Sequence, residues 1–463
     1  MIDICSLGYK SRQSDQQTPF KSLHPPLRCI ARRRLCSEMC TKSISSPSVC
    51  SKFGSMALRP TEWPYLNVDE NVVADASCFR RAPLMSPMRV SRRTFLGGTT
   101  ALLTGCAARR APVASKPSAA LAEPRLAQVR VSADRVIRAI TGLRPFRPSG
   151  FVVRGEKFGE KTVVHNYGHG GAGITLSWGT AQLAVEEGAK SELRDCAVLG
   201  CGVVGLSTAR LLQLRGYNPV IYAKEMPPLT TSNVAGGYWD PVTLFDSDRV
   251  TPEFRRQFGD AARFAIRRYQ SLAGDPYGVR WLPVYSLSAH APFAPATPDN
   301  LYSDIEPLFP ETKRFGPGEH PFGALYARSR YSMLIEPAIY LNALVRDFQI
   351  AGGRIVIREF RSPEEIAGLP ERVLYNCTGL GAKALFGDAE LTPIKGQLVF
   401  LLPQPEVEYM TVGPGDIYMF PRHDGVLLGG THDRGVSDLS VDPAVTERIL
   451  RENAALFGSM RAA

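Results

Sequence analysis

Three glycines, Gly200, Gly202 and Gly205, form a GxGxxG motif of the kind that binds a dinucleotide. The motif follows an apolar run at residues 196–199 and precedes a stretch at 206–214 that has the length and spacing of a helix. The first glycine permits a tight turn, the second lets backbone approach a pyrophosphate, and the third lets the helix pack closely on the strand. The helix N-terminus then offers free N–H groups and a partial positive charge to the phosphates.

An acidic residue follows at the interval that dinucleotide-binding folds use. A second apolar run, residues 219–222, ends just before Glu225, which lies about 20 residues beyond Gly205. A carboxylate at the end of this strand binds the hydroxyl groups of the adenosine ribose. Strand, glycine turn, helix and acid in this order predict a dinucleotide site, and a glycine-rich turn without a ligand is the alternative.

A second glycine-rich segment carries a family resemblance. Residues 165–179, HNYGHGGAGITLSWG, closely resemble the flavin-binding signature of the D-amino acid oxidase family. The other stretches that resemble the family are TGLRPFRP at 141–148, TTSNVAGGYW at 230–239, NCTG at 376–379, GQ at 396–397, YMFPR at 418–422 and GGT at 429–431. Together they span most of residues 130–455, so the resemblance implies an FAD-dependent amine-oxidising enzyme.

The resemblance also implies which residues contact FAD. The second glycine segment would approach the isoalloxazine ring, where N–H donors and a helix N-terminus stabilise negative charge on the reduced flavin. His169 is implied to be a neighbour of the flavin rather than a proton shuttle. The residues assigned to the cofactor are Gly170, Gly171, Gly173, Ile174, Thr175, Gly200, Gly202, Val203, Val204, Gly205, Glu225, Thr231, Ser232, Gly237, Trp239, Phe360 and Thr378.

Oxidation of an amine requires few reactive side chains. The α-hydrogen leaves as a hydride to flavin N5, so the protein mainly holds the substrate in line and excludes water. By the resemblance, Arg144 grips the substrate carboxylate, a role that suits a planar guanidinium, and Tyr418 adds a second hydrogen bond. These two are the predicted catalytic residues, Gly171 is a further substrate contact, and Arg147 is the competitor for the role of Arg144.

The family segments occur in an unusual order. In the usual arrangement the arginine stretch and the HNYGHGG segment come last, whereas here they precede the GxGxxG motif. This order predicts a circular permutation, in which a helix near residues 176–185 packs beside the first strand of the dinucleotide fold and residues 186–195 form the link. A scrambled gene is the alternative. The two glycine segments are then expected to lie far apart along one FAD, at its ring and at its pyrophosphate.

The N-terminal part resembles an export signal. MRVSRRTFL at 88–96 is typical of a twin-arginine signal, the apolar stretch at 96–103 is too short to span a membrane, and LTGC at 103–106 resembles a lipobox. We therefore expect export to the periplasm or cell surface, with a membrane contact only through a lipid on Cys106. Residues 1–87 are interpreted as a disordered upstream extension from a mis-assigned start, with Met85 or Met88 as the true start, and residues 107–128 as a linker.

Charge and cysteine usage exclude several classes of function. Residues 1–110 carry +10 of the formal net charge of +11, so the excess positive charge lies in the N-terminal part. The charge therefore does not indicate that the rest of the chain binds nucleic acid. Cys36 and Cys40 lack a second pair with zinc-ligand spacing, and no metal site is predicted. Cys196, Cys201 and Cys377 do not indicate a disulfide framework.

The expected elements define an α/β protein with two interleaved parts. Strands at 196–199, 219–222, 354–357 and 373–375 alternate with helices at 206–216, 252–273 and 336–351, which predicts a Rossmann-like FAD-binding domain. Strands near 135–153, 279–286, 397–402, 417–421 and 425–430 lack intervening helices and predict an antiparallel substrate sheet. The expected substrate segments are 129–155, 241–335 and 394–460, and the FAD-binding segments are 156–240 and 336–393.

Three functional interpretations remain. The first is a D-amino acid oxidase, in which the imino acid hydrolyses to a 2-oxo acid and O2 reoxidises the flavin to give H2O2. The second is a related flavoenzyme, of glycine or sarcosine oxidase type or a D-amino acid dehydrogenase with a membrane acceptor, and the third is a non-catalytic lipoprotein. The sequence does not specify the substrate side chain, the acceptor or the oligomeric state. It also leaves open the roles of Asp240, which stands where the family carries an amide, and of Tyr409, a candidate lid tyrosine.

Overall fold

The computed structural model describes residues 125–290, 300–323 and 325–461, which belong to one compact unit. Its strands are β1 (Val136–Phe146), β2 (Val152–Phe158), β3 (Lys161–Tyr167), β4 (Asp195–Leu199), β5 (Asn218–Ala223), β6 (Val279–Ser288), β7 (Lys313–Phe315), β8 (Tyr326–Ile335), β9 (Arg354–Ile357), β10 (Val373–Asn376), β11 (Thr392–Leu401), β12 (Met410–Val412), β13 (Tyr418–Arg422), β14 (Gly425–Gly429) and β15 (Asp433–Arg434). Its helices are α1 (Gly173–Gly188), α2 (Val203–Leu214), α3 (Thr231–Val234), α4 (Pro252–Ser271), α5 (Pro337–Ile350), α6 (Pro363–Ala367), α7 (Ala382–Phe386) and α8 (Pro443–Gly458). The predicted upstream extension, the export signal and most of the linker lie outside the described residues.

Six strands form a mainly parallel sheet in the order β2-β3-β10-β4-β5-β9. All neighbours from β3 to β9 pair in parallel, and β2 closes one edge in the antiparallel direction. From Cys196 to Leu199, β4 is buried at every position, as expected for a parallel strand that is covered on both faces. This sheet contains all four strands that the sequence predicted for the FAD-binding domain.

Helix α1 packs against α2 and α4 on one face of this sheet. The close approach of α1 and α4 depends on Gly179, where any Cβ would overlap the backbone of Ala261. Large side chains fill the remaining space, and the Trp178 indole N–H donates to the Tyr340 hydroxyl at 2.5 Å. The helix predicted near residues 176–185 therefore forms and packs beside the dinucleotide sheet.

Nine strands form the second sheet, along the path β1-β11-β14-β13-β12-β6-β8-β7, with β15 also paired to β11. All its pairs are antiparallel except β12 with β6. Apolar side chains cover both faces of this sheet, and α8 packs against β11 and β14. The predicted antiparallel sheet of segments that are distant in sequence is confirmed.

Two predicted segment boundaries differ from the structure. The predicted boundary at residue 155 divides β2 between a substrate and an FAD-binding segment, but the strand pairs along its whole length with β3 in the six-stranded sheet. For β2, long-range strand pairing decides the membership, and the local sequence pattern does not contain that information. The predicted substrate segment 241–335 also contains α4, although the alternation of strands and helices assigns this helix to the FAD-binding domain. Its buried face packs on α1 in the core of the FAD-binding side, so the alternation is right and the segment boundary is wrong.

Candidate functional site

The glycine turn after β4 adopts a backbone that only glycines fit. Gly200 has φ of +110°, and a Cβ on it would lie 2.5 Å from the carbonyl oxygen of Cys377. A Cβ on Gly205 would overlap the carbonyl oxygen of Gly200, so α2 can start close to the end of β4. Gly202 is the extended N-cap of α2 and offers no side chain to the helix terminus. This geometry leaves the start of α2 open to a phosphate group.

The first turn of α2 has unpaired donors that fit such a ligand. The first bond within the helix runs from Leu206 N–H to Gly202 C=O at 2.9 Å, which leaves Val204 and Gly205 N–H without a partner in the helix. Val203 N–H donates to the Ser232 hydroxyl at 3.0 Å, and no acidic residue lies in the first turn. Ser232 therefore lies beside the first turn of α2, where a phosphate is expected. The neighbouring Thr231 side chain is exposed.

The second glycine segment lies beside the first. Gly170 has φ of +53° and packs so tightly on the Thr243 carbonyl that a Cβ would overlap it, and Gly171 N–H donates to the same oxygen at 3.0 Å. A Cβ on Gly173, the first residue of α1, would lie 3.9 Å from Val203. The expectation that the two glycine segments lie far apart is therefore wrong. Because α1 and α2 pack side by side, their N-termini meet at one edge of the sheet.

The segment 230–240 passes between the start of α1 and strand β8. Gly237 has φ of +90°, and a Cβ on it would overlap the carbonyl of Ile335. Trp239 is fully buried against Phe309, with ring centroids 5.3 Å apart, and its indole N–H has no hydrogen-bond partner among the described residues. The buried Thr175 hydroxyl donates to the Asp240 carbonyl at 3.2 Å, which fixes this segment to α1.

Other residues predicted to bind the cofactor lie at the carboxyl edge of the same sheet. Glu225 is exposed just after β5, where a ribose can reach it. Phe360 follows β9 and packs edge-on to Tyr222 at 6.1 Å. Thr378 lies after β10, but its N–H and hydroxyl both donate to the side-chain oxygen of Asn376, at 3.2 and 2.7 Å. The Thr378 hydroxyl is thus engaged within the protein.

The nine-stranded sheet brings Arg144 and Tyr418 together, and we call them the anchor pair. Arg144 lies on β1 opposite Ile394, and its Nη1 donates to the Thr431 carbonyl at 3.1 Å. A Cβ on Gly396 would lie 2.5 Å from that nitrogen, so the guanidinium requires a glycine there. Burial raises the pKa of Tyr418, while the adjacent Arg144 guanidinium opposes this shift. The phenol is therefore a neutral hydrogen-bond donor beside a cation.

Arg147 has a different environment from Arg144. Its Nε donates to the Asp388 carboxylate at 2.7 Å, and its Nη2 lies 3.3 Å from Glu390. Burial opposes the charge of Asp388, but Arg147 and Tyr167 offset it and hold the pKa of this carboxyl below its usual value. Within the described ranges no carboxylate forms an ion pair with Arg144. Arg144 therefore retains donors for a ligand, whereas those of Arg147 are engaged in the fold.

The structure shows the contacts of His169, Tyr409 and Asp240, whose roles the sequence leaves open. His169 is 2% exposed, its Nε2 lies 2.9 Å from the Thr180 hydroxyl, and burial lowers its pKa to about 3, so it is neutral. Tyr409 is buried in the core of the nine-stranded sheet and donates to the Ala127 carbonyl at 2.8 Å, so it cannot replace a lid tyrosine. Asp240 forms a buried ion pair with Arg330 at 3.1 Å, and burial raises the pKa of this carboxyl.

The structure places at the site several residues that the sequence analysis did not predict to be there. Gly396 and Thr431 contact the Arg144 guanidinium. Both belong to stretches that resemble the family, which is the signal that could have identified them. Arg330, the partner of Asp240, had no signal, because a buried arginine is indistinguishable from an exposed one in a single sequence. The described residues contain no group of three or more His, Cys, Asp or Glu side chains placed to hold a metal ion. None of the helices described is long and apolar enough to cross a membrane.

Comparison with known proteins gives matches over most of the chain. A family model described as "DAO: FAD dependent oxidoreductase" matches residues 55–187 and 195–462, so the match begins upstream of the predicted start at Met85 or Met88. A D-amino-acid oxidase from Rubrobacter xylanophilus is 33% identical over 271 residues, which are 58% of this chain and 78% of that protein. A D-aspartate oxidase from Homo sapiens is 31% identical over 274 residues, 58% of this chain and 77% of that protein. Among solved structures, glycine oxidase from Geobacillus kaustophilus superposes with a TM-score of 0.45 at 17% identity, covering 58% of this chain and 80% of that one.

Proposed function

The chain belongs to the DAO family of FAD-dependent oxidoreductases, and on this premise we propose that it catalyses the oxidative deamination of D-amino acids. In this reaction the substrate loses its α-hydrogen with two electrons, together with a proton from nitrogen. The resulting imino acid reacts with water to give a 2-oxo acid and ammonia. O2 takes up the two electrons and two protons and leaves as H2O2.

The observation that carries this proposal is the environment of Arg144. Its guanidinium lies beside a neutral phenol, has one carbonyl acceptor at 3.1 Å, and has no acidic partner among the described residues. A guanidinium with free donors next to a hydroxyl donor matches both oxygens of a carboxylate, and such charge-assisted bonds are the stronger ones. We therefore assign the α-carboxylate of the substrate to the anchor pair.

FAD is the cofactor of this family, and the residues present fit it. Gly200, Gly202 and Gly205 leave room for a pyrophosphate at the open start of α2, and the exposed Glu225 suits the ribose hydroxyls. We assign the second glycine segment and Gly237 to the flavin end, beside the indole N–H of Trp239. When bound, FAD accepts the hydride that the substrate releases.

The protein's own residues then need only to position and protect the substrate. The anchor pair fixes the α-carboxylate and so orients the α-hydrogen toward the cofactor. Such orientation accounts for much of the rate acceleration that this reaction requires of the protein. His169 is unsuited to act as the base, because its low pKa makes the buried imidazole a weak proton acceptor and its Nε2 contacts Thr180. The amine is consumed in its uncharged form, which removes the need for a strong base on the protein.

The test is reduction of the bound flavin without oxygen, followed by admission of air. We expect D-amino acids to bleach the visible flavin absorbance, L-amino acids to leave it unchanged, and air to restore it with release of one H2O2 per turnover. Bleaching by L-amino acids only, or only by glycine or sarcosine, would refute D-amino acid oxidation. Bleaching by D-amino acids with no recovery in air would indicate a dehydrogenase with another acceptor.

We also infer a permuted order of the family's segments. In support, β3 pairs directly with β10, the link at residues 189–194 is short, and the family model matches two segments that meet at this link. A chain rearranged to run from Asp195 to Arg461 and then from Arg130 to Glu187, with a short linker, is expected to fold and bind FAD. Folding of the original order alone would contradict the permutation.

Export by the twin-arginine pathway remains a further proposal, because the residues of the signal lie outside the described ranges. It predicts that replacing Arg92 and Arg93 together by lysine retains the protein in the cytoplasm of a bacterial host. It also predicts that Cys106→Ala releases the exported protein from the membrane fraction. Unchanged fractionation of both variants would exclude this route.

A further inference from the structure

A chain of polar side chains, buried except at its first member, crosses strands β2, β3 and β10 and ends next to the glycine turn of the cofactor site. Its members are Glu156, His165, Asn376 and Thr378, and we call it the His165 relay. Asn376 Oδ1 accepts from both the N–H and the hydroxyl of Thr378, at 3.2 and 2.7 Å. The amide nitrogen of Asn376 consequently faces Nδ1 of His165, at 3.0 Å.

This arrangement determines the protonation of His165. An amide nitrogen can only donate, so Nδ1 of the imidazole must accept and carries no proton. The single ring proton then lies on Nε2, which is 2.9 Å from Oε1 of Glu156 but is not aligned for a hydrogen bond, so this contact is electrostatic. A second proton on Nδ1 would place two donors face to face and break the contact with Asn376.

Because His165 is buried, adding a second proton to its imidazole is energetically unfavourable. His165 is 1% exposed and Asn376 fully buried, while Glu156 is 42% exposed and reaches solvent. Burial lowers the pKa of His165, and the Glu156 carboxylate opposes that shift. The other groups that face His165 are Arg154 on β2, Asp388 after α7, and the rings of Tyr167 and Phe386, which lie edge-on at 5.6 and 5.2 Å.

The relay ends at the backbone that supports Gly200. A Cβ on Gly200 would lie 2.5 Å from the Cys377 carbonyl and 3.6 Å from the Cα of Thr378. Cys377 N–H also donates to the carbonyl of Leu199 at 2.9 Å. The glycine turn and segment 376–378 are in direct contact. A shift of Asn376 or Thr378 would therefore move the backbone of Gly200 and change the shape of the cofactor site.

We propose that His165 is a positioning residue for FAD: the neutral imidazole holds Asn376 and Thr378 against the glycine turn, and a proton on Nδ1 releases them. Bound FAD is then retained at neutral pH and lost in acid, below the usual pKa of histidine. This role rests on FAD as the cofactor and is independent of which amine the enzyme oxidises.

The first experiment measures FAD release from the holoenzyme by flavin fluorescence between pH 8 and pH 4. We expect release at acid pH in the wild type. Glu156→Gln keeps a side chain of nearly the same shape beside Nε2 but removes the charge that favours imidazolium, so its release midpoint should move about one pH unit lower. Glu160→Gln, at an exposed position after β2, is the matched control and should follow the wild type.

The second experiment replaces the imidazole itself. His165→Asn can present an oxygen near the Nδ1 position without titrating, so its FAD release between pH 7 and pH 5 should be flat. His165→Leu lacks the acceptor and should bind FAD about tenfold more weakly at every pH in that range, the effect of one lost buried hydrogen bond.

The proposal is overturned if Glu156→Gln releases FAD at the wild-type midpoint, whatever the His165 variants do. A wild-type pH profile in His165→Asn overturns it as well. Since no substrate is present, loss of D-amino acid oxidation would leave these outcomes unaffected, so the two proposals fail separately.

Discussion

At the scale of single residues, Arg144 and Arg147 lie three positions apart but contact different kinds of partner. Arg144 has a phenol and a carbonyl beside it, whereas Arg147 has two carboxylates. The free donors of Arg144 make it suitable for a ligand, and the ion pairs of Arg147 make it part of the fold.

Replacing Arg144 by alanine is expected to raise the KM for D-amino acids more than tenfold while FAD stays bound. The loss of a buried charge-assisted pair costs about 2–5 kcal/mol in binding. Steady-state kinetics with a D-amino acid and the visible spectrum of the holoenzyme measure both quantities. Arg147→Ala is the control: it should lower the melting temperature and leave KM nearly unchanged. An unchanged KM in Arg144→Ala would remove this residue from the site.

The ion pair of Asp240 and Arg330 lends itself to a stability test. Both side chains are largely buried, at 18% and 6% exposure, and the Arg330 guanidinium lies 3.5 Å from the ring centroid of Phe309. Arg330→Met should lower the free energy of unfolding by about 3–5 kcal/mol, because it leaves a buried carboxylate without its cation. Adding Asp240→Asn should restore most of this loss. Equal unfolding midpoints in urea for the single and double variants would show that the pair is not coupled.

At the scale of elements, the cofactor site depends on how closely α2 approaches β4. The relevant contact is backbone to backbone, from Gly205 to Gly200, so no side-chain rearrangement can relieve a clash there. The same principle brings α1 to α4 at Gly179.

Gly205→Ala should therefore displace the start of α2 and weaken FAD binding about 100-fold, or destabilise the fold by about 1–3 kcal/mol as overpacking does. Gly458→Ala, at the end of α8 with open space around its Cβ, should change neither property. Titration of the apoprotein with FAD and thermal unfolding distinguish the two effects. Tight FAD binding in Gly205→Ala would show that this contact is dispensable.

At the scale of the whole molecule, the glycine turn, Glu225, Phe360 and Thr378 lie at the edge of the six-stranded sheet. Gly237 and Trp239 pair with β8 of the nine-stranded sheet, which also carries the anchor pair. Long-range contacts between segments distant in sequence build both layers, and residues from both ends of the described chain meet in the larger sheet. Arg434 of β15 also pairs with Asp246, which follows the cofactor segment, at 2.8 Å.

A ligand that binds only the folded chain must stabilise it by mass action. FAD at 100 times its Kd should raise the free energy of unfolding by about 2.7 kcal/mol and the melting temperature by about 5 °C. Riboflavin at the same concentration lacks the pyrophosphate and should have little effect, since the open start of α2 would have nothing to bind. Equal shifts with both compounds would argue against the glycine turn as the phosphate site.

The parts of the molecule with a local sequence signal can be predicted without the structure. Glycine geometry and apolar periodicity predict the GxGxxG turn and the strands β1, β4, β5, β6, β9, β10, β11, β13 and β14, and the family resemblance supplied FAD. They do not predict β3, β7, β8, β12 or β15. Tertiary contacts are needed to assign the whole of β2 to the FAD-binding side and to show that the two glycine segments are neighbours. These contacts also separate Arg144 from Arg147, pair Asp240 with Arg330 and place Tyr409 in a core. These facts concern partners distant along the chain, and a residue's own neighbours in sequence carry no record of them.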